Sequence, residues 1–175
     1  IESCIINRLY PDMEKCFGSY CFLWEQKQES TATWHGMFLP NGKPTEAVDV
    51  MQYCWTGKWP GSRAPSIQDI SIEGKNWQKE HRLAPSTSTT LTIEYEKYNN
   101  QDIEINYRLF PEAFTNKIGG DRQESPEEIS FQITKKSDNG ITFTSPSKKG
   151  AYRIFAYIKN DKEQYSVANL PFLVE

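Results

Sequence analysis

A chain of 175 residues holds one or two domains, and 20 Lys and Arg against 23 Asp and Glu leave it near neutral, at −3. No basic run or stripe marks it for nucleic acid, which is excluded as a partner. No apolar stretch approaches the ~20 residues of a membrane span. All four cysteines, all three methionines and four of the five tryptophans fall in the first sixty residues, so two kinds of sequence are joined near 60–65. The chain opens at Ile1 without a signal peptide, as a processed or trimmed sequence would, which leaves secretion open.

In chain order, a short helix is expected over 3–10, stopped by Pro11. Residues 18–24, G-S-Y-C-F-L-W, are too continuously apolar for a half-exposed strand and suit one buried on both faces. A loop over 25–40 leaves that strand's carboxyl end, the position from which loops build active sites in an α/β barrel. It and its entry supply Trp24, Gln26, Gln28, Glu29, Trp34 and His35, the candidate carbohydrate-binding set, and the loop also carries Thr33. An indole covers a pyranose face, and amide and carboxylate groups hold hydroxyls. Equally, Trp34 could plug the end of a barrel or the joint between domains. The spacing predicts a helix over 45–56, opened by Pro44 and Thr45 and ended by Gly57, with Val48, Met51, Cys54 and Trp55 as its apolar stripe. Helix, buried strand, loop and helix together are α/β grammar.

Cys16 and Cys21 are separated by four residues, and neither His35 nor His81 has a His or Cys at a zinc-ligand spacing. Neither a metal nor any cofactor is expected. Cys21 and Cys54 sit in apolar surroundings and read as small buried hydrophobes rather than a disulfide.

From Ala64 onward the pattern changes to period-two alternation, the mark of strands with one wet face. Runs at 67–72, 90–96, 102–110, 129–133, 141–143, 152–158 and 166–174 give seven strands, with turn residues between them. Asn139-Gly140 reads as a hairpin turn, because both residues tolerate positive φ. Seven short strands in about 110 residues match an immunoglobulin-like sandwich of about 100. Tyr152, entering the penultimate strand from a Pro/Gly turn, is placed to tie its hydroxyl to backbone as a tyrosine corner. Asp121, Glu124, Glu127 and Glu128 crowd one loop; a calcium site could draw on them, but a solvated acidic loop is the plainer reading. Tyr98, Phe114, Tyr157 and Tyr165 are the sandwich aromatics from which a sugar platform could be made.

The segment G-S-Y-C-F-L-W-E-Q-K-Q-E-S-T-A-T-W-H-G-M-F-L (18–39), then T-E-A-V-D-V-M-Q-Y-C-W-T-G-K-W-P (45–60), resembles the end of a glycoside-hydrolase-like TIM barrel of secreted bacterial polysaccharide-degrading proteins. In those proteins an Ig-like domain follows, and G-A-Y-R-I-F-A-Y-I-K-N-D…A-N-L-P-F-L-V (150–174) resembles its end. The sequence departs from the family pattern at Glu25, where the pattern has Gly.

The resemblance implies a mainly β chain: a seven-stranded immunoglobulin-like sandwich over 61–175, preceded by a small α/β remnant over 1–60, the last strand and helix of a barrel. A whole barrel takes about 250 residues, and the resemblance puts the catalytic carboxylate pair on earlier strands. It therefore implies a non-catalytic C-terminal region that helps a parent barrel bind polysaccharide or oligosaccharide, in a secreted, periplasmic or cell-surface bacterial protein. The alternatives are a free-standing carbohydrate-binding or adhesion module and a structural spacer. An apolar strand at 18–24 lacking its barrel neighbours is open to self-association.

Overall fold

The structure, a computed structural model, describes residues 23–34, 36–113 and 123–175, the side chain of Trp34 excepted. The helix expected over 3–10, the strand expected over 18–24 save its last two residues, His35, Phe114 and Asp121 lie outside the described residues.

The chain is mainly β. A hairpin of β1 (Lys27–Glu29) and β2 (Thr31–Trp34) precedes the helix α1 (Glu46–Thr56). There follow β3 (Ser66–Ile72), β4 (Lys75–Asn76), β5 (Arg82–Leu83), β6 (Ser88–Glu96), β7 (Ile103–Pro111), β8 (Ile133–Ser137), β9 (Gly140–Thr144), β10 (Gly150–Asn160) and β11 (Tyr165–Val174). They form one sheet in the order β4-β3-β6-β9-β8 and a second in the order β5-β11-β10-β7. All pairs are antiparallel except β5 with β11.

Alternation decides which face of each strand turns inward. On β6, Leu91 and Ile93 are buried; on β10, Ile154, Ala156 and Ile158 are fully buried; on β11, Leu170, Phe172 and Val174 are buried. These side chains from both sheets join in a single cluster, so the two sheets are layers of one sandwich. Each such Ile or Leu contributes about 1.5–3 kcal/mol of burial. The Tyr152 hydroxyl donates to the Lys148 carbonyl at 2.7 Å, the tie to backbone that its position predicted.

The run at 129–133 is not one strand. Ile129 bridges to Leu109 of β7 in the second sheet, whereas Ile133 opens β8 and pairs with Phe143 in the first. The segment is where the chain crosses between sheets, and Phe131 on the way packs edge-on to Phe143. The β8–β9 turn also differs from expectation. Asp138 and Asn139 form it, and Gly140 is already in β9, paired with Ser137. Gly140 is there for close approach, since a Cβ on it would lie 2.2 Å from the Leu91 carbonyl oxygen of β6.

Helix α1 begins and ends as predicted. Thr45 caps it, its hydroxyl accepting the Ala47 N–H, and the Gly57 N–H returns to the Tyr53 carbonyl at 2.8 Å. Its buried side is rotated from the predicted stripe: Ala47, Asp49, Val50 and Met51 are buried, while Trp55 is 63% exposed. The reason is Asp49, whose Oδ2 accepts the Ala64 N–H at 2.7 Å and so turns a charged position inward.

Residues 60–65 are pinned along their length. Gln101 and Asn160 both donate to the Arg63 carbonyl, at 3.1 and 3.0 Å. The Ser62 hydroxyl and carbonyl both bond the Gln164 side chain. The Arg63 guanidinium lies between the rings of Trp59 and Tyr98, 3.6 and 3.7 Å from their centroids, and Tyr53 stacks on Trp59.

Candidate functional site

The segment from Leu23 to Pro40 folds back on itself. Met37 and Phe38 donate to the carbonyls of Leu23 and Trp24, and Ser30, at φ 60°, turns the chain between β1 and β2. The N-cap holds the base: Thr45 donates to the Met37 carbonyl through both its N–H and its hydroxyl. Gly36 permits the fold, because a Cβ there would lie 2.7 Å from the Gln26 backbone.

The hairpin lies over the outer face of the second sheet. On that face Phe155 and Phe110 point away from the sandwich core, yet they are only 2% and 9% exposed. Gln28, Ser30, Thr31 and Ala32 come down beside them, leaving a cavity of about 20 Å³, room for one water. Two hydrogen bonds fix the hairpin to residues 123–125, between β7 and β8: Ser30 N–H to Gln123 Oε1 and Ser125 Oγ to Gln28 Oε1, both 3.1 Å.

Beside the hairpin opens a larger cleft of about 350 Å³. Gln26, Thr31 and Thr33 line it from the hairpin, Thr45 and Glu46 from the start of α1, and Arg153, Ser166 and Asn169 from β10 and β11. Apart from Gly36 and Val167, each lining residue carries an amide, hydroxyl, carboxylate or guanidinium, and the carbon stems of these side chains make up much of the wall. Arg153 is clasped by Glu112 through Nε at 3.0 Å and Nη2 at 2.7 Å, and its Nη1 donates to Asn169 Oδ1. The Ser166 hydroxyl lies 2.6 Å from both Glu46 Oε2 and the Pro65 carbonyl, and has one proton to give. Behind this wall, burial pushes the Asp49 carboxyl up from its ordinary value, against the Ala64 N–H and the Arg63 guanidinium, with Glu46 adding to the rise.

The residues singled out from sequence are divided by this arrangement. Gln26 lines the cleft. Gln28 turns to the small cavity and to Ser125. Glu29 pairs with Lys27 at 2.9 Å. Trp24 is 66% exposed and packs against Phe38, outside the cleft lining. Trp34 sits opposite Lys27 in β2, and His35 lies outside the described residues. A register irregularity between Lys27 and Glu29 breaks the alternation that would have kept one set of side chains on one face.

Of the sandwich aromatics, Tyr98 has Arg63 over its ring, Tyr157 is half-buried against Phe155, and Tyr165 is half-buried where its N–H donates to the Pro44 carbonyl. In the acidic loop Glu128 pairs with Arg108 at 2.8 Å. Among the described residues no group of three or more His, Cys, Asp or Glu could hold a metal.

Sequence reasoning missed Glu46, Arg153, Ser166 and Asn169, which come from segments up to 123 residues apart. One signal was available: Arg153 interrupts an otherwise apolar strand, G-A-Y-R-I-F-A-Y-I, and so had to face something polar.

No protein-family model and no curated protein matches the sequence. Among solved structures, the chain is similar to a DUF4784 family protein from Bacteroides caccae, with 9% sequence identity and a TM-score of 0.30. That match covers 62% of this chain and 24% of the other, so the chain spans about a quarter of that protein's length. So loose a likeness identifies neither fold nor function.

Proposed function

We propose that this chain is the non-catalytic C-terminal region of a glycoside-hydrolase-like protein and contributes to carbohydrate binding. In this reading residues 1–60 are the terminal βα unit of a barrel and 61–175 an immunoglobulin-like accessory sandwich, belonging to a secreted, periplasmic or cell-surface bacterial protein. The observation that carries the reading is the cleft beside the β1–β2 hairpin. Its side chains are the donors and acceptors that sugar hydroxyls use, and about 350 Å³ falls at the lower end of the 300–1,000 Å³ typical of small-molecule sites. The loop that the sequence marks for sugar forms one wall of it, through Gln26. Glycoside hydrolysis takes two carboxyl groups flanking the scissile bond. Glu46 is the one carboxylate among the described residues of the cleft lining, which favours recognition over bond cleavage.

A free-standing binding module is the second reading. It draws on Trp24, Trp55 and Trp77, each exposed by more than 60% of its surface. Amide shifts of ¹⁵N-labelled protein against a panel of oligosaccharides test both. Shifts centred on Thr31, Thr33 and Asn169, with Gln26→Ala weakening binding about tenfold for a lost hydrogen bond, support the cleft. Shifts centred on the exposed indoles support the module. A panel that moves no amide overturns both.

A further inference from the structure

We infer that the cleft takes uncharged sugars and discriminates against uronate or sulfated ones; this rests on reading the cleft as a carbohydrate site. The charges around it are unequal. Arg153 is the one cation in the lining, and Glu112 already occupies two of its nitrogens in a pair whose side chains are only 19% and 18% exposed. Glu112 thus already balances the Arg153 charge, and a ligand carboxylate would find only the two N–H groups that Glu112 and Asn169 leave over. Glu46 has no such answer. Its neighbour is the Ser166 hydroxyl, and among the described residues no cation pairs with it. The positive end of α1 is also taken up, because Glu46 and Asp49 both fall in its first turn and no ligand anion is needed there. An incoming anion therefore meets an unmatched carboxylate and a guanidinium whose charge Glu112 already balances. What the cleft does offer is neutral: the Gln26 amide, the Thr31 and Thr33 hydroxyls and the NH₂ of Asn169, whose Oδ1 Arg153 already uses. These pair with sugar hydroxyls without bringing a charge out of water.

Calorimetric titration with matched pairs, an oligoglycoside and the uronate of the same length and linkage, tests this on the whole chain. The neutral member is expected to bind at least about tenfold tighter at low salt, a difference that like charges a few ångströms apart readily supply. Raising salt to about 1 M, where the Debye length is about 3 Å, should narrow the gap on the wild-type protein alone. Glu46→Gln should narrow it too, while keeping the side-chain length and the hydrogen bond to Ser166. A uronate that binds as tightly as its neutral partner overturns the charge inference and leaves the sugar reading standing. Failure of every member of every pair to bind overturns the sugar reading itself.

Discussion

Asp49 shows how one side chain sets the seating of an element. It is 5% exposed on α1, and its carboxylate accepts the Ala64 N–H at 2.7 Å. Burial raises its pKa, with the Ala64 N–H and Arg63 opposing and Glu46 assisting. A carboxyl whose folded pKa is raised binds its proton more tightly in the fold. Its stabilising contribution is whole below the unfolded value near 3.9 and is lost as pH rises through the folded value. At neutral pH the charge is therefore a cost, whereas the hydrogen bond is a gain. Asp49→Asn keeps an acceptor and drops the charge, so it should melt higher than wild type at pH 7, with the advantage vanishing as pH falls toward 4. Asp49→Ala leaves the Ala64 N–H without its partner and should lose about 1–3 kcal/mol. Thermal melts at the two pH values check both. A helix pattern read from hydropathy puts Asp49 on the wet face, because its partner is a backbone amide fifteen residues away.

Strands were more legible than the helix, since alternation reports a local property. The runs at 90–96, 102–110 and 152–158 fall in strands β6, β7 and β10, Asp102 alone lying just outside, because each has one face on the core and the other on solvent or a thin cover. Where one run serves two sheets, as at 129–133, alternation persists while the pairing partner changes, and no local pattern records the switch. Phe155 hid for a related reason: it faces outward, but the hairpin covers it, so its strand reads as apolar on both sides. The cleft was legible only through Gln26 and Thr33, because its other walls are assembled by distant pairings. At Gly140 the sequence signal had the right residue for a different reason. Gly140→Ala would drive a methyl against the Leu91 carbonyl of β6 and should cost about 1–3 kcal/mol, as overpacking does. Urea midpoints measure it; an unchanged midpoint would show that β6 and β9 yield there without penalty.

At the scale of the molecule, the described residues before 60 and the sandwich share surfaces. Thr45 bridges to Tyr165, Glu46 bonds Ser166, and the hairpin shelters Phe110 and Phe155. Residues 64–175 expressed alone should still give a β spectrum and a cooperative melt, since the shared core lies wholly within them. Their midpoint should be lower than that of the 175-residue chain, by about 4–8 °C for each kcal/mol of lost cover. They should also bind a hydrophobic dye that the longer chain does not, through the two uncovered rings. Equal midpoints with no dye binding would mean that the hairpin and helix add nothing to the sandwich. The Glu46–Ser166 bond also fixes an order of events in the cell. A ribosome adding 5–20 residues each second needs about 6–24 s to pass from one end of that bond to the other. For that interval Glu46 of α1 is without the Ser166 hydroxyl of β11, which is made after it. Helix α1 is thus made before the strand that holds it, and until β11 follows, its apolar side is what a chaperone would meet.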